Sequence, residues 1–306
     1  MAATPMPPGD APQLRPLGVG DIVDRVFALY RSRPLLYIAI SAVPYLVFIL
    51  VIAAATLALA GTFIGLAQFA NLLASGDVPD PTQFVAAMVS FVGFVLFIVV
   101  AAVVILSTQT TALVYAMSAR YLGKPVALGD AFRAGLRATP RVIGAGLLIF
   151  LLFVALWVAL AVLMAVSQQV LVVIVAAIAG LVGTFFILAS TLVAPIVATL
   201  EGAGPITAIQ RSWSLSAGNR WRILGLQLLL VIINGVISSI VSAVFVTTIA
   251  GDATLRTVVQ QLVNAGTTIL WAPVEWGTFA ILYYDLRVRH EAFDLQLAAE
   301  ALPREP

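Results

Sequence analysis

Six long apolar runs, separated by loops that alternate between arginine-rich and nearly cation-free, leave this chain few ways to fold. The runs lie near 35–60, 84–117, 142–166, 170–199, 223–249 and 258–284. A membrane-crossing helix needs about 20 such residues. Only 10% of the 306 residues are charged and 62% are hydrophobic, too few charges to clothe a water-soluble surface. The expected fold is all-α: a polytopic bundle of six transmembrane helices. The second run is too long for a straight span, so it should tilt, kink or project from the bilayer. Runs three and four meet at Ser167-Gln168-Gln169, a turn that requires an antiparallel hairpin.

Orientation follows from the basic residues. Fifteen of the 16 lie in four regions: the N-terminus, the loops at 118–141 and 201–222, and the C-terminus. The loops at 61–83, 167–169 and 250–257 hold only Arg256. This alternation places both termini in the cytosol. Lys124 is the only lysine, a bias that, with so much Ala, Val and Gly, suggests a GC-rich bacterium. The expected location is therefore a bacterial plasma membrane. Residues 1–14 are proline-rich and read as a disordered cytosolic tail. Residues 15–296 form the membrane domain and 297–306 a second cytosolic tail.

Three segments at the basic side share a pattern and are expected to be amphipathic elbows at the interface. In Gly20–Arg33, Ile22, Val23, Val26, Phe27, Leu29 and Tyr30 fall on one face of a helical wheel. Arg25 and Arg31 fall on the other. The second elbow, Leu128–Arg141, carries Arg133 and Arg137; the third, Glu201–Arg222, carries Arg211, Arg220 and Arg222. An aromatic residue lies seven or eight positions before the Pro34, Pro140 or Trp221 that opens the following helix. This points to a three-fold repeat of elbow plus hairpin; the competing explanation is that positive-inside loops resemble one another. Trp221, Tyr283 and Tyr284 read as a cytosolic aromatic belt.

The segments Arg15–Arg31 (RPLGVGDIVDRVFALYR), Ala208–Gly225 (AIQRSWSLSAGNRWRILG) and Leu282–Leu295 (LYYDLRVRHEAFDL) resemble the bacterial membrane domain attached to some glycerophosphoryl diester phosphodiesterases. The resemblance implies a multi-helix membrane protein. It does not imply phosphodiesterase activity, which belongs in the fused proteins to a separate soluble domain.

No catalytic constellation is expected. There is no cysteine, and His290 is the only histidine, set in a charged run (Asp285, Arg287, Arg289, Glu291, Asp294) that reads as a water-facing helix extension. Walker, HExxH and nucleophile-elbow motifs are missing from the sequence. No metal site and no cofactor is expected. Nucleic acid is not an expected partner, because the arginines lie where topology places them. Expected partners are membrane lipids and a membrane or cytosolic protein.

Glu275 stands apart. It lies in the sixth run about 12 Å deeper than Tyr283 and should face the bundle interior or a wet cavity. Counting from Met117, Gln109 reaches a matching depth, so Gln109 or Thr110 is expected beside Glu275. A proton, cation or amine site and a structural interhelical hydrogen bond are both open readings. Pro44, Pro195 and Pro273 are expected to kink helices one, four and six, as fixed bends or as hinges. The function expected is a non-catalytic membrane scaffold or partner subunit; the alternative is a transporter or flippase using Glu275.

Overall fold

In the computed structural model the described residues are 16–76, 81–167, 169–247, 253–293 and 296. The proposed tails at 1–14 and 297–306 lie outside them. The described residues form α-helices joined by short turns, with no strand among them.

Helix α1 (Val19–Ser32) is the first elbow; the Gly18 amide donates to Asp21 Oδ2 at 2.9 Å at its N-terminus. Arg33 leaves the helical region because Pro34 follows it, and Pro34 then opens α2 (Pro34–Ala58). The region expected to be a loop at 61–83 instead contains a helix, α3 (Ala60–Ser75). Its aromatic residues give it a partner: Phe63 meets Phe91 and Phe94 edge to face, and Phe69 stacks on Phe84. All three partners lie on α4 (Pro81–Tyr121), an unbroken helix about 60 Å long that does outrun a bilayer core.

Helix α5 (Leu128–Ser167) absorbs the second elbow, which is its first turns and not a separate helix. The fourth run divides into α6 (Val170–Thr191) and α7 (Ala194–Leu200), with Pro195 in the first turn of α7. Pro44 and Pro273 lie inside unbroken helical assignments. The third elbow is α8 (Pro205–Ser216), followed by a turn with Gly218 at φ +74° and then α9 (Arg220–Thr247). The last run and the charged tail form one helix, α10 (Ala253–Glu291). The three elbows thus take three backbone forms, so a shared elbow geometry is not seen.

Five helical segments are long and apolar enough to cross a membrane: Pro34–Ala58, Phe84–Tyr121, Leu128–Ser167, Val170–Leu200 and Arg220–Phe245. Helix α10 is not among them, since Gln260, Gln261, Asn264 and Glu275 dilute its hydropathy. Yet α10 is the core. From Trp271 to Leu286 every residue but Glu275 and Trp276 is buried, and the helix packs on α1, α2, α4 and α9. In α4 and α5, by contrast, no residue of the most apolar stretch is buried. This inversion is expected in hydrocarbon, where apolar side chains gain little by leaving lipid and packing and hydrogen bonds hold helices together.

Packing is densest at the basic end. There Gly135 of α5 lies so close to α4 that a Cβ on it would sit 3.0 Å from the Ala112 backbone nitrogen. Thr111 Oγ1 donates to the Gly135 carbonyl at 3.1 Å, and the Thr108 and Thr139 hydroxyls lie 3.1 Å apart.

Candidate functional site

The basic end is closed by one carboxylate. Asp285, on the last turns of α10, is 2% exposed, which corrects its reading as part of a water-facing run. Its Oδ1 accepts the Leu17 amide at 2.6 Å, and its Oδ2 accepts Arg222 of α9 and, at 2.9 Å, Arg289 one turn along α10. The Leu17 carbonyl accepts both arginines, at 2.6 Å from Arg222 and 2.9 Å from Arg289. Two guanidiniums, one carboxylate and the backbone N–H and C=O of Leu17 therefore form a closed set in which each member satisfies the others. The set ties the segment before α1 to α9 and α10. A lone buried carboxylate at this position would be costly; paired twice and hydrogen-bonded, it is tolerated.

A second network lies alongside. Glu201, just after α7, accepts the Tyr283 hydroxyl at 2.7 Å and Arg211 at 3.3 Å. Arg211 also pairs with Glu291, which takes Arg287 at 3.0 Å. Burial pushes the Glu291 carboxyl up, but hydrogen bonds from Arg211 and Arg287 outweigh it and hold the group below its ordinary value. The Arg287 guanidinium lies 3.8 Å from the Phe293 ring centroid. Tyr283 and Tyr284 are buried in this region, so they are core residues and not an interfacial belt; Trp221 is 87% exposed.

The third knot forms where α6 ends. The Ser190 carbonyl, left without a helical partner by the break before Pro195, accepts the Ser212 hydroxyl at 2.7 Å and that of Ser216 at 3.4 Å. Arg220 donates to Ser190 Oγ at 2.8 Å and faces the rings of Phe186 and Trp213. Arg25 donates to the Tyr121 hydroxyl at 3.0 Å.

The elbow arginines therefore divide. Arg211, Arg220 and Arg222 are spent inside the protein, with Arg25 half-buried beside Tyr121. Arg31, Arg133 and Arg137 are exposed. Arg31 donates to the Phe27 carbonyl at 3.3 Å; Arg133 and Arg137 have no ion-pair partner among the described residues. His290 is exposed, its Nε2 3.3 Å from Asn219 Nδ2.

Glu275 is half-buried, and among the described residues it has no hydrogen-bond or ion-pair partner. The structure does not join it to Gln109, whose amide donates to Ser41 of α2 at 2.8 Å. Thr110 is buried nearby on α4. The helix register explains the separation. A Cβ on Gly277 would lie 3.4 Å from Met117, so these residues are level. Gln109 then lies about 9 Å deeper than Glu275 along the bundle. Among the described residues no group of three or more His, Asp or Glu side chains is placed to hold a metal ion.

A family model for a domain of unknown function, DUF7847, matches residues 131–286. The chain belongs to that family. The DUF7847 match begins in the first turns of α5 and ends one residue past Asp285, so it contains Glu201, Arg211, Arg222 and Asp285 but not Leu17 or Arg289. No curated protein and no solved structure matches the chain.

The sequence marked the arginines and Glu201 as an elbow but gave no sign of their pairing. Leu17 and Ser190 were missed altogether: Leu17 acts through backbone atoms, which leave no trace in residue type, and Ser190 acts through its carbonyl as well as its hydroxyl. Asp285 had one usable signal, an acid spaced four residues from Arg289 in a helix.

Proposed function

We propose that this chain is a multi-pass membrane protein of six spans, α10 being the sixth, and that its cytosolic end is a rigid, non-catalytic platform for a protein partner. The observation that carries this reading is the Asp285 clamp, which fixes Leu17, Arg222 and Arg289 in one unit. Such a unit holds its outer surface in a constant shape. On α5, at the basic end, Arg133, Arg137 and Arg141 lie at four-residue intervals, all exposed, a cationic stripe suited to an acidic partner. Both termini lie on this side by the positive-inside rule, in a bacterial plasma membrane. The likeness of the elbow and tail motifs to a membrane domain that accompanies an enzyme also supports a partner role.

The test is purification of the tagged protein in mild detergent after chemical cross-linking, with mass spectrometry of what is captured. A stoichiometric protein, lost when Arg133 and Arg137 are both changed to Glu, is the expected result. Recovery of the chain alone, with the same composition in the double variant, refutes the platform.

A second reading, transport of a small or lipid-derived solute, rests on Glu275, an intramembrane carboxylate with no partner among the described residues. Full activity of Glu275→Gln in any assay of solute movement removes it.

A further inference from the structure

A cavity of about 670 Å³ runs between α9 and α10, with α1 across its cytosolic end. Ile237 and Val241 line the α9 wall, Gly266 and Leu270 the α10 wall, and Phe27 and Tyr30 of α1 close the end. The rim residues Leu262 and Leu270 are exposed, so the crevice opens sideways onto the apolar flank of the bundle. Its far end is drawn together by Gln260 of α10, which donates to Ser242 of α9 at 3.1 Å.

We propose that this crevice holds one acyl chain of an anionic glycerophospholipid, with the phosphate at Arg31. Polarity, shape and charge each point there. The lining is apolar apart from Tyr30, Thr267 and Trp271, and Thr267 turns its hydroxyl proton back to the Val263 carbonyl at 2.9 Å. The wall from Val259 to Val274 is about 22 Å long, more than one leaflet of a hydrocarbon core about 30 Å thick. The crevice is long, apolar and open along its side, a shape that suits a hydrocarbon chain lying along α10. At the cytosolic end, Arg31 donates to the carbonyl of Phe27, which holds its exposed guanidinium beside the residue that closes the crevice. Asp24, the nearest acid along α1, is about two turns away. Lipid contact of a general kind is expected of any membrane protein; this site is a single crevice with one chain and one headgroup charge.

The glycine in the wall makes the inference testable. A Cβ at Gly266 meets nothing within 4 Å, so a larger side chain there starts in the open space of the crevice that Gly266 lines. The protein is extracted in mild detergent, mixed with equal amounts of phosphatidylglycerol and phosphatidylcholine, and weighed by native mass spectrometry. Wild type should retain one lipid, chiefly phosphatidylglycerol. Gly266→Phe, and independently Leu270→Trp at the rim, should weaken retention about tenfold with unchanged melting. Arg31→Gln should keep a lipid but lose the preference for phosphatidylglycerol. Equal retention by wild type and both filling variants overturns the proposal, as does a dimer without lipid that Gly266→Phe dissolves. The inference rests on the chain being embedded in a membrane. Recovery of the protein in the soluble fraction refutes that premise, whereas a detergent-extracted protein without lipid refutes only the crevice.

Discussion

Replacing Asp285 with Ala removes the acceptor shared by Leu17, Arg222 and Arg289 while leaving those three in place. The Asp285 side chain is fully shielded, and that of Arg222 is 19% exposed, so water replaces little of what these two lose. Hydrogen bonds to a charged group contribute about 1.5–3 kcal/mol each, and the Leu17 and Arg222 bonds belong to this class. The Arg289 pair contributes less, about 0.5–1 kcal/mol, because its guanidinium is 32% exposed and water can take over. The total of about 3.5–7 kcal/mol overlaps at its lower end the range of about 3–5 kcal/mol for stranding one side of a buried ion pair, and about 4 kcal/mol lies in both. At about 2 °C per kcal/mol, the midpoint in detergent should fall by about 8 °C. Because Leu17 anchors the start of α1, amide exchange in Val19–Ser32 should rise before the rest of the bundle opens. Arg222→Ala should cost less alone, and the double variant should cost less than the sum, the mark of a shared contact. A midpoint shift under about 2 °C, with α1 exchange unchanged, would refute the clamp as a structural tie.

Other consequences follow from the same geometry. Glu291 titrates below its ordinary value of 4.5 in the folded protein, so it contributes stability above that pH and loses it as pH falls through the folded value. Glu291→Gln should therefore melt below wild type at pH 6, with the gap closing as pH falls below 4; a constant gap contradicts the Arg211 and Arg287 pairing. Gly135→Val should push α4 from α5 and destabilise by about 1–3 kcal/mol, while Gly266→Ala, with open space at its Cβ, should leave the melting midpoint unchanged. The cysteine-free sequence gives a clean topology test. An impermeant thiol reagent applied outside intact cells should label Ala74→Cys and not Lys124→Cys; labelling of both would break the alternation of loops.

The sequence by itself determined the material of this fold. Apolar runs of spanning length fixed where helices must be, because unpaired peptide groups cannot persist in hydrocarbon. The positions of arginine argued which ends face which way. The prolines were legible as weak points, because a missing N–H acts locally, but only at Pro195 does the helix divide; Pro44 and Pro273 lie inside continuous helices. Helix α3 was not legible, because its reason to form lies on α4, in rings that only folding brings to Phe63 and Phe69. Nor was the candidate site. Depth counting placed Gln109 beside Glu275, but depth says nothing of azimuth or of the sliding of one helix on another. The packing of Gly277 on Met117 set that register, and Gln109 turned to Ser41. The tail looked solvated because its charges alternate along the chain; burial depends instead on what covers them. Leu17, lying 268 residues away in sequence, covers Asp285 with a backbone amide. Composition and periodicity act through solvent and reach only a turn or two. Pairing across the bundle depends on helix register and rotation, and only the tertiary structure decides those.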